Sequence, residues 1–187
     1  MPLRSIARAA LQILVVGALL AAPAARAQEL YTFTVGALGG LGGSLDADPG
    51  DDLGNSGLQL NLGLVTDPKT HLTLRLGRLD LDADESFGTL VGAELDYATI
   101  AGEYRYTHSF YESGVYFGLG GYRLSGELPG LPAAGEEETG FGAALGLTGE
   151  FGLTRRLGLL IEISGHWADL EQAQVFLMGH VGLAFHF

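Results

Sequence analysis

Cysteine is absent from all 187 residues, so neither a disulfide framework nor a thiolate metal centre can hold this chain together. Basic residues are scarce: ten Lys and Arg stand against 22 Asp and Glu, a formal net charge of −12. That balance excludes nucleic acid as a partner and makes an anionic membrane surface a poor match. Long hydrophobic runs are missing too. After the first 27 residues, no stretch approaches the roughly 20 apolar residues that a spanning helix needs. Thirty glycines disfavour helix generally, since each costs about 1 kcal/mol against alanine in a helix interior. Yet 47% of the residues are hydrophobic, so a large apolar surface must be organised without helices or cross-links.

The opening residues belong to a different regime. Arg4 and Arg8 precede an apolar run from Leu11 to Ala22, and Ala25-Arg26-Ala27 fits a small-x-small cleavage site. This is the pattern of a secretory signal peptide over residues 1–27, which leaves 28–187 as one exported domain. The exported part keeps seven of the ten basic residues and all 22 acidic ones.

What remains alternates with period two, the signature of strands. A first segment runs from Leu30 to Leu41. Leu58, Leu60, Leu62 and Leu64 share one face opposite Gln59, Asn61 and Gly63, and "TDPKT" then turns the chain. Leu72, Leu74 and Leu76 oppose His71, Thr73 and Arg75. The apolar parity changes at Leu79 and Leu81, which predicts a bulge near Gly77 and Arg78. A fourth segment, from about Leu90 to Tyr106, sets Ile100, Tyr104 and Tyr106 against Glu103 and Arg105, with Leu95 and Tyr97 on the opposite parity. "GVYFGLGGYRLSG" is the fifth. The sixth places Phe141, Leu145, Leu147 and Phe151 opposite Thr148 and Glu150. The seventh places Leu159, Ile161, Ile163 and Trp167 opposite Glu162, Ser164 and His166. The last is "HVGLAFHF", with Val181, Leu183, Phe185 and Phe187 on one face and His180, Gly182, Ala184 and His186 on the other.

Eight alternating segments of this length fit an all-β, eight-stranded antiparallel up-and-down transmembrane β-barrel. Short connections at 66–70, 107–113 and 152–156 alternate with longer ones at about 43–57, 82–89, 125–139 and 168–173, as short periplasmic turns alternate with extracellular loops. Tyr31, Phe33, Tyr104, Tyr106, Phe110, Tyr111, Phe151, Phe185 and Phe187 fall toward the short-turn end as an interfacial girdle. The competing reading is a soluble sandwich or lipocalin-like barrel with its apolar face inward. It would leave Gly, Ala and Ser facing water on most strands.

"GVYFGLGGYRLSG", "GEFGLTRRLGLLIE" and the terminal "VGLAFHF" together resemble the small outer-membrane β-barrels, the group of the OmpA membrane domain, OmpX and the porin-family proteins. The resemblance covers the whole exported chain. It implies outer-membrane localisation in a Gram-negative-type envelope, contact with outer-membrane lipid and lipopolysaccharide, and a terminal strand read by the barrel-assembly machinery. That signal falls on Val181, Leu183, Phe185 and Phe187.

Five charged residues, Arg75, Glu103, Arg105, Glu150 and Glu162, are expected inside the barrel, where they must pair or hold water. We read them as an ion-pair network that plugs the lumen. Glu162, Ser164 and His166 share one face of one strand and invite a hydrolase reading, but positions i and i+2 lie roughly 6.6 Å apart along a strand, which predicts no Ser–His hydrogen bond. His166, His180 and His186 are a weak metal-site candidate, read instead as fillers of a polar lumen. No catalytic, cofactor or metal site is therefore expected. Fourteen of the 22 acids, including Asp46, Asp48, Asp51, Asp52, Asp82, Asp84 and Glu85, gather in the predicted long loops as a solvated anionic surface. "DADPGDD" lacks the closing Glu of a calcium loop. A structural or surface-interaction role with an unidentified extracellular ligand follows. A narrow OmpW-like conduit for small or apolar solutes is the alternative, and a barrel enzyme acting on lipid A the third.

Overall fold

The computed structural model describes residues 32–46, 53–81, 91–128 and 131–187. Residues 1–27, expected as a signal peptide, and Tyr31, Asp48, Asp51, Asp52, Asp82, Asp84 and Glu85 lie outside them. Eight strands follow in order: β1 (Phe33–Ser44), β2 (Asn55–Asp67), β3 (Thr70–Asp80), β4 (Val91–Thr107), β5 (Tyr111–Leu128), β6 (Leu131–Gly152), β7 (Leu157–Ala168) and β8 (Val175–His186). Each pairs antiparallel with its neighbours, and β8 closes on β1 to complete an eight-stranded barrel. Closure removes the open edges that a flat sheet of this composition would expose. Phe187 completes the seam by donating its N–H to Phe33 O at 2.9 Å.

Through most of its height the barrel is apolar outside and polar or small inside. Leu58, Leu72, Ile100, Leu145, Leu147, Ile163, Val181 and Leu183 are exposed on the outer face, while Gln59, Asn61, Thr73, Thr99 and Ser164 are buried. Large outward apolar groups cannot face water without a steep cost, so this band fits hydrocarbon. Its lower limit is a ring of aromatics. Tyr104 packs on Tyr106 and Phe185 on Phe187, each at 4.9 Å between ring centroids, and Tyr111 stacks on Phe151 at 5.7 Å.

Near the loop end the two faces exchange character. Outward positions become Arg78, Glu94, Asp96 and Arg123, joined by Arg78–Asp96 at 2.8 Å, Arg78–Glu94 at 3.1 Å and Arg123–Asp96 at 3.3 Å. Inward positions become Leu79, Leu81, Leu95, Tyr97, Tyr122, Leu124, Leu170, Phe176 and Met178, which form one buried apolar cluster. From Asp96 to Tyr106, β4 advances about 34 Å along its length, or roughly 26 Å along the axis at a tilt of about 40°. That span matches the apolar band of an outer-membrane barrel.

This exchange corrects three expectations. No bulge interrupts Gly77 and Arg78, whose pairing with β2 and β4 is regular. The parity of Leu79 and Leu81 changes because the barrel leaves the apolar layer and the chemistry inverts, not the backbone. For the same reason Leu95 and Tyr97 share the inward face with Glu103 and Arg105 of one unbroken strand. The described residues of the stretch expected as a long loop, 125–128 and 131–139, instead continue the β5–β6 hairpin, with Arg123 opposite Thr139 and Glu127 opposite Gly135. The first segment is also shifted from its expected span, to Phe33–Ser44.

Candidate functional site

The inward-facing charges meet in one chain that descends the lumen. Arg75 on β3 binds Glu103 through Nη2 at 3.0 Å and Glu162 through Nε at 3.3 Å. Arg105 on β4 binds Glu103 through Nε and Glu150 through Nη1, both at 2.8 Å. Glu150 also contacts the imidazole of His186. The sequence Glu162–Arg75–Glu103–Arg105–Glu150 thus brings all five charged residues together, with His186 at its foot. Arg75 and Glu162 are each only 1% exposed, so their charges rely on protein partners rather than on water.

Neutral groups that the strand pattern places beside the charges complete their coordination. Glu162 accepts from Tyr116 OH at 2.8 Å, Gln59 Nε2 at 3.0 Å and Asn61 Nδ2 at 3.4 Å. Tyr97 OH donates to Gln59 Oε1 at 2.6 Å, and Thr148 donates to Glu103 at 2.9 Å. The Arg75 guanidinium lies 3.6 Å from the Tyr116 ring centroid, a cation–π contact in a desolvated setting. Tyr97, Tyr116 and Tyr122 were not singled out from the sequence as lumen residues. A signal was present: each ring lies over a glycine of a neighbouring strand, respectively Gly77, Gly146 and Gly142. A narrow barrel has room for a ring only where the facing position lacks a side chain.

Ser164 and His166 contradict the distance expectation. His166 Nε2 lies 3.0 Å from Ser164 Oγ, and its Nδ1 lies 3.0 Å from Tyr122 OH. Side chains lean along a strand, so two groups whose Cα atoms are far apart can still touch. Ser164 and His166 are nevertheless buried beneath the apolar cluster, and Glu162 is committed to Arg75, Tyr116, Gln59 and Asn61 rather than to the imidazole. His186 contacts Glu150 and lies 3.2 Å from Thr34 Oγ1, whereas the buried His180 has an Nδ1 without a hydrogen-bond partner. Among the described residues no group of three His, Asp or Glu is placed to hold a metal ion.

The ends of the lumen differ. Toward the loops, the apolar cluster caps the polar network. Within the network, a cavity of about 10 Å³ beside Asn61, Thr73 and Arg105 is of the order of one water. Below it opens a vestibule of about 380 Å³ at the short-turn end, floored by His71, Arg105, Glu150 and His186. Val181, Leu183 and Phe185 lie on the outer face of β8, and Phe187, just past its end, is 60% exposed. At the loop end, Asp46 ties the first loop to β8. It accepts from Ser44 Oγ and Gln174 N, each at 2.8 Å, and from Val175 N at 3.1 Å.

No family model matches the sequence, and no curated protein matches it. Solved structures do match its fold. Neisserial surface protein A aligns with a TM-score of 0.65 at 13% identity, over 83% of this chain and 97% of that one. A major outer membrane protein from Thermus thermophilus gives 0.60 at 14% identity, over 83% and 99%. Ail, the attachment invasion locus protein of Yersinia pestis, gives 0.54 at 13% identity, over 83% and 96%. The chain has the fold of the small eight-stranded outer-membrane β-barrels.

Proposed function

We propose that this protein is an integral outer-membrane barrel whose task is carried by its loop end, as a structural and surface-interaction element. One observation carries the reading: the lumen is filled with buried side chains, while the end beyond the apolar band is acidic and offers an open strand edge. Ten described carboxylates lie there, at Asp46, Asp80, Glu94, Asp96, Glu127, Glu136, Glu137, Glu138, Asp169 and Glu171, against Arg78 and Arg123. Beyond the barrel rim, β6 pairs with β5 as far as Leu131, but with β7 only from Gly142 onward. Backbone groups between Leu131 and Glu137 therefore have a side free of strand pairing, a template for an extended segment of a partner, whereas Glu138 already accepts from the Glu171 N–H. The acidic side chains at Glu136 to Glu138 favour a basic partner.

In this reading the lipid partners are outer-membrane phospholipid and lipopolysaccharide, and the outward Val181, Leu183, Phe185 and Phe187 serve the barrel-assembly machinery. Cells displaying the protein should bind a soluble basic protein, and a triple Glu136→Gln, Glu137→Gln, Glu138→Gln variant at equal surface level should lose most of that binding. Equal binding by the variant would refute the role of the hairpin. The conduit reading predicts steady conductance in planar bilayers, whereas the filled lumen predicts none. The lipid A enzyme reading requires a substrate to reach Ser164, which is 1% exposed. Lipid A of unchanged mass in cells with and without the protein would speak against it.

A further inference from the structure

The vestibule at the short-turn end is larger than the plug above it needs, and its hydrogen-bonding capacity is one-sided. Its two carboxylates are both engaged: Glu150 by Arg105 and His186, and Glu112 by Arg105 and Thr107. Its donors are not all used. Arg105, with its side chain 9% exposed, directs Nε to Glu103 and Nη1 to Glu112 and Glu150, which leaves Nη2 without a partner. His71 is 8% exposed and its ring makes no hydrogen bond, although it forms part of the wall. Ser109 and Arg155 on the rim carry free donors as well. An unsatisfied donor set in a partly desolvated cavity selects an acceptor-rich, anionic ligand.

The walls supply the second half of the selectivity. Tyr111 stacks on His108 at 4.3 Å with 17° between planes, and Phe110 lies against Tyr111 at 5.2 Å. Val65, Pro68 and Leu157 add apolar surface. The volume of about 380 Å³ falls within the range of small-molecule sites. We propose that this vestibule is a binding site for a small amphipathic oxyanion, a phosphate or carboxylate carrying an apolar or aromatic group. The oxygens meet Arg105 Nη2, His71 and Arg155, and the apolar part lies against Tyr111 and Phe110. Lipid headgroups of the facing leaflet and free organic anions both present this chemistry.

The test titrates phenyl phosphate into the full-length barrel in phosphatidylcholine nanodiscs and follows the His71 and His108 ring resonances, with benzyl alcohol as the neutral comparison. Saturable binding is expected, at least about tenfold tighter for phenyl phosphate than for benzyl alcohol. Arg155→Gln, on an exposed turn outside the ion-pair chain, and His71→Asn should each weaken phenyl phosphate several-fold without altering benzyl alcohol. Repetition in phosphatidylglycerol nanodiscs separates the sources. Apparent competition identifies the lipid headgroup as occupant, and unchanged affinity identifies a soluble anion. Absence of saturation, equal affinity for the two probes, or full affinity in both variants would overturn the proposal.

Discussion

Replacing Glu162 by Gln changes neither size nor shape, so its effect isolates the charge. The carboxylate has two oxygens and four donors around it: Tyr116 OH and Gln59 Nε2 on Oε1, Arg75 Nε and Asn61 Nδ2 on Oε2. A carboxamide offers one acceptor and one NH₂, so one pair of donors must face another donor. If the carbonyl keeps Tyr116 and Gln59, the charge-assisted bond from Arg75 is lost, about 1.5–3 kcal/mol, together with a neutral bond of about 1 kcal/mol. Arg75 then depends on Glu103 alone while its Nη1 already has no partner. These losses sum to about 2.5–4 kcal/mol, overlapping the range of about 3–5 kcal/mol that removing one member of a buried ion pair generally costs. Reversible denaturant unfolding in bilayers, followed through the single tryptophan, Trp167, gives the difference directly. The exposed Glu137, whose pairing with Arg123 is 3.5 Å long, provides the comparison: Glu137→Gln should cost less than about 0.5 kcal/mol. A loss below about 1 kcal/mol for Glu162→Gln would refute the claim that buried charge pairing holds the lumen closed.

Further outcomes follow from the same geometry. On β6, Gly146→Ala would bring Cβ to 2.5 Å from the Tyr116 ring; lifting that ring off Glu162 should cost about 1–3 kcal/mol. Gly149→Ala, on the opposite face of the same strand with nothing within 4 Å, should leave unfolding unchanged. At the loop end, burial pushes the Asp46 carboxyl up, but the Gln174 N–H, the Ser44 hydroxyl and the Val175 N–H outweigh it and hold it below the usual aspartate range. Its clamp is therefore complete above that range and is lost as pH falls through the lowered value. The Gln174 and Val175 amide resonances should titrate together below the ordinary aspartate midpoint in the parent, and not in Asp46→Asn. Phe187→Ala removes an outward, exposed ring, so folding in vitro should change by less than about 1 kcal/mol while insertion in cells falls several-fold. A matching loss in vitro would make Phe187 a packing residue instead.

The architecture was legible because period two is local information. Leu58 to Leu64, Phe141 to Phe151 and Val181 to Phe187 each alternate without interruption, and a strand that buries one face leaves such a record whatever its neighbours are. The inward set Arg75, Glu103, Arg105, Glu150 and Glu162 was legible for the same reason, since charges on the face opposite an apolar stripe have only the lumen left. The sequence misled where the environment, rather than the backbone, changes along a strand. Leu79, Leu95 and Tyr97 look out of phase only on the assumption that lipid surrounds the whole barrel. The length of the β5–β6 hairpin was hidden because acidic, glycine-containing stretches serve equally as loops and as strands that stand in water.

By itself, then, the order of residues determined the strand count, the lipid-facing side and the identity of the buried charges, all of which follow from spacing along one chain. The placing of Tyr97, Tyr116 and Tyr122 over glycines needed the register of neighbouring strands, and the Ser164–His166 contact needed the lean of side chains along β7; the reach of Arg75 and Gln59 across the lumen to Glu162 and the vestibule below Arg105 were decided only by closure. These depend on the register between strands and the stagger around the barrel, and such distances exist only once β8 has paired with β1.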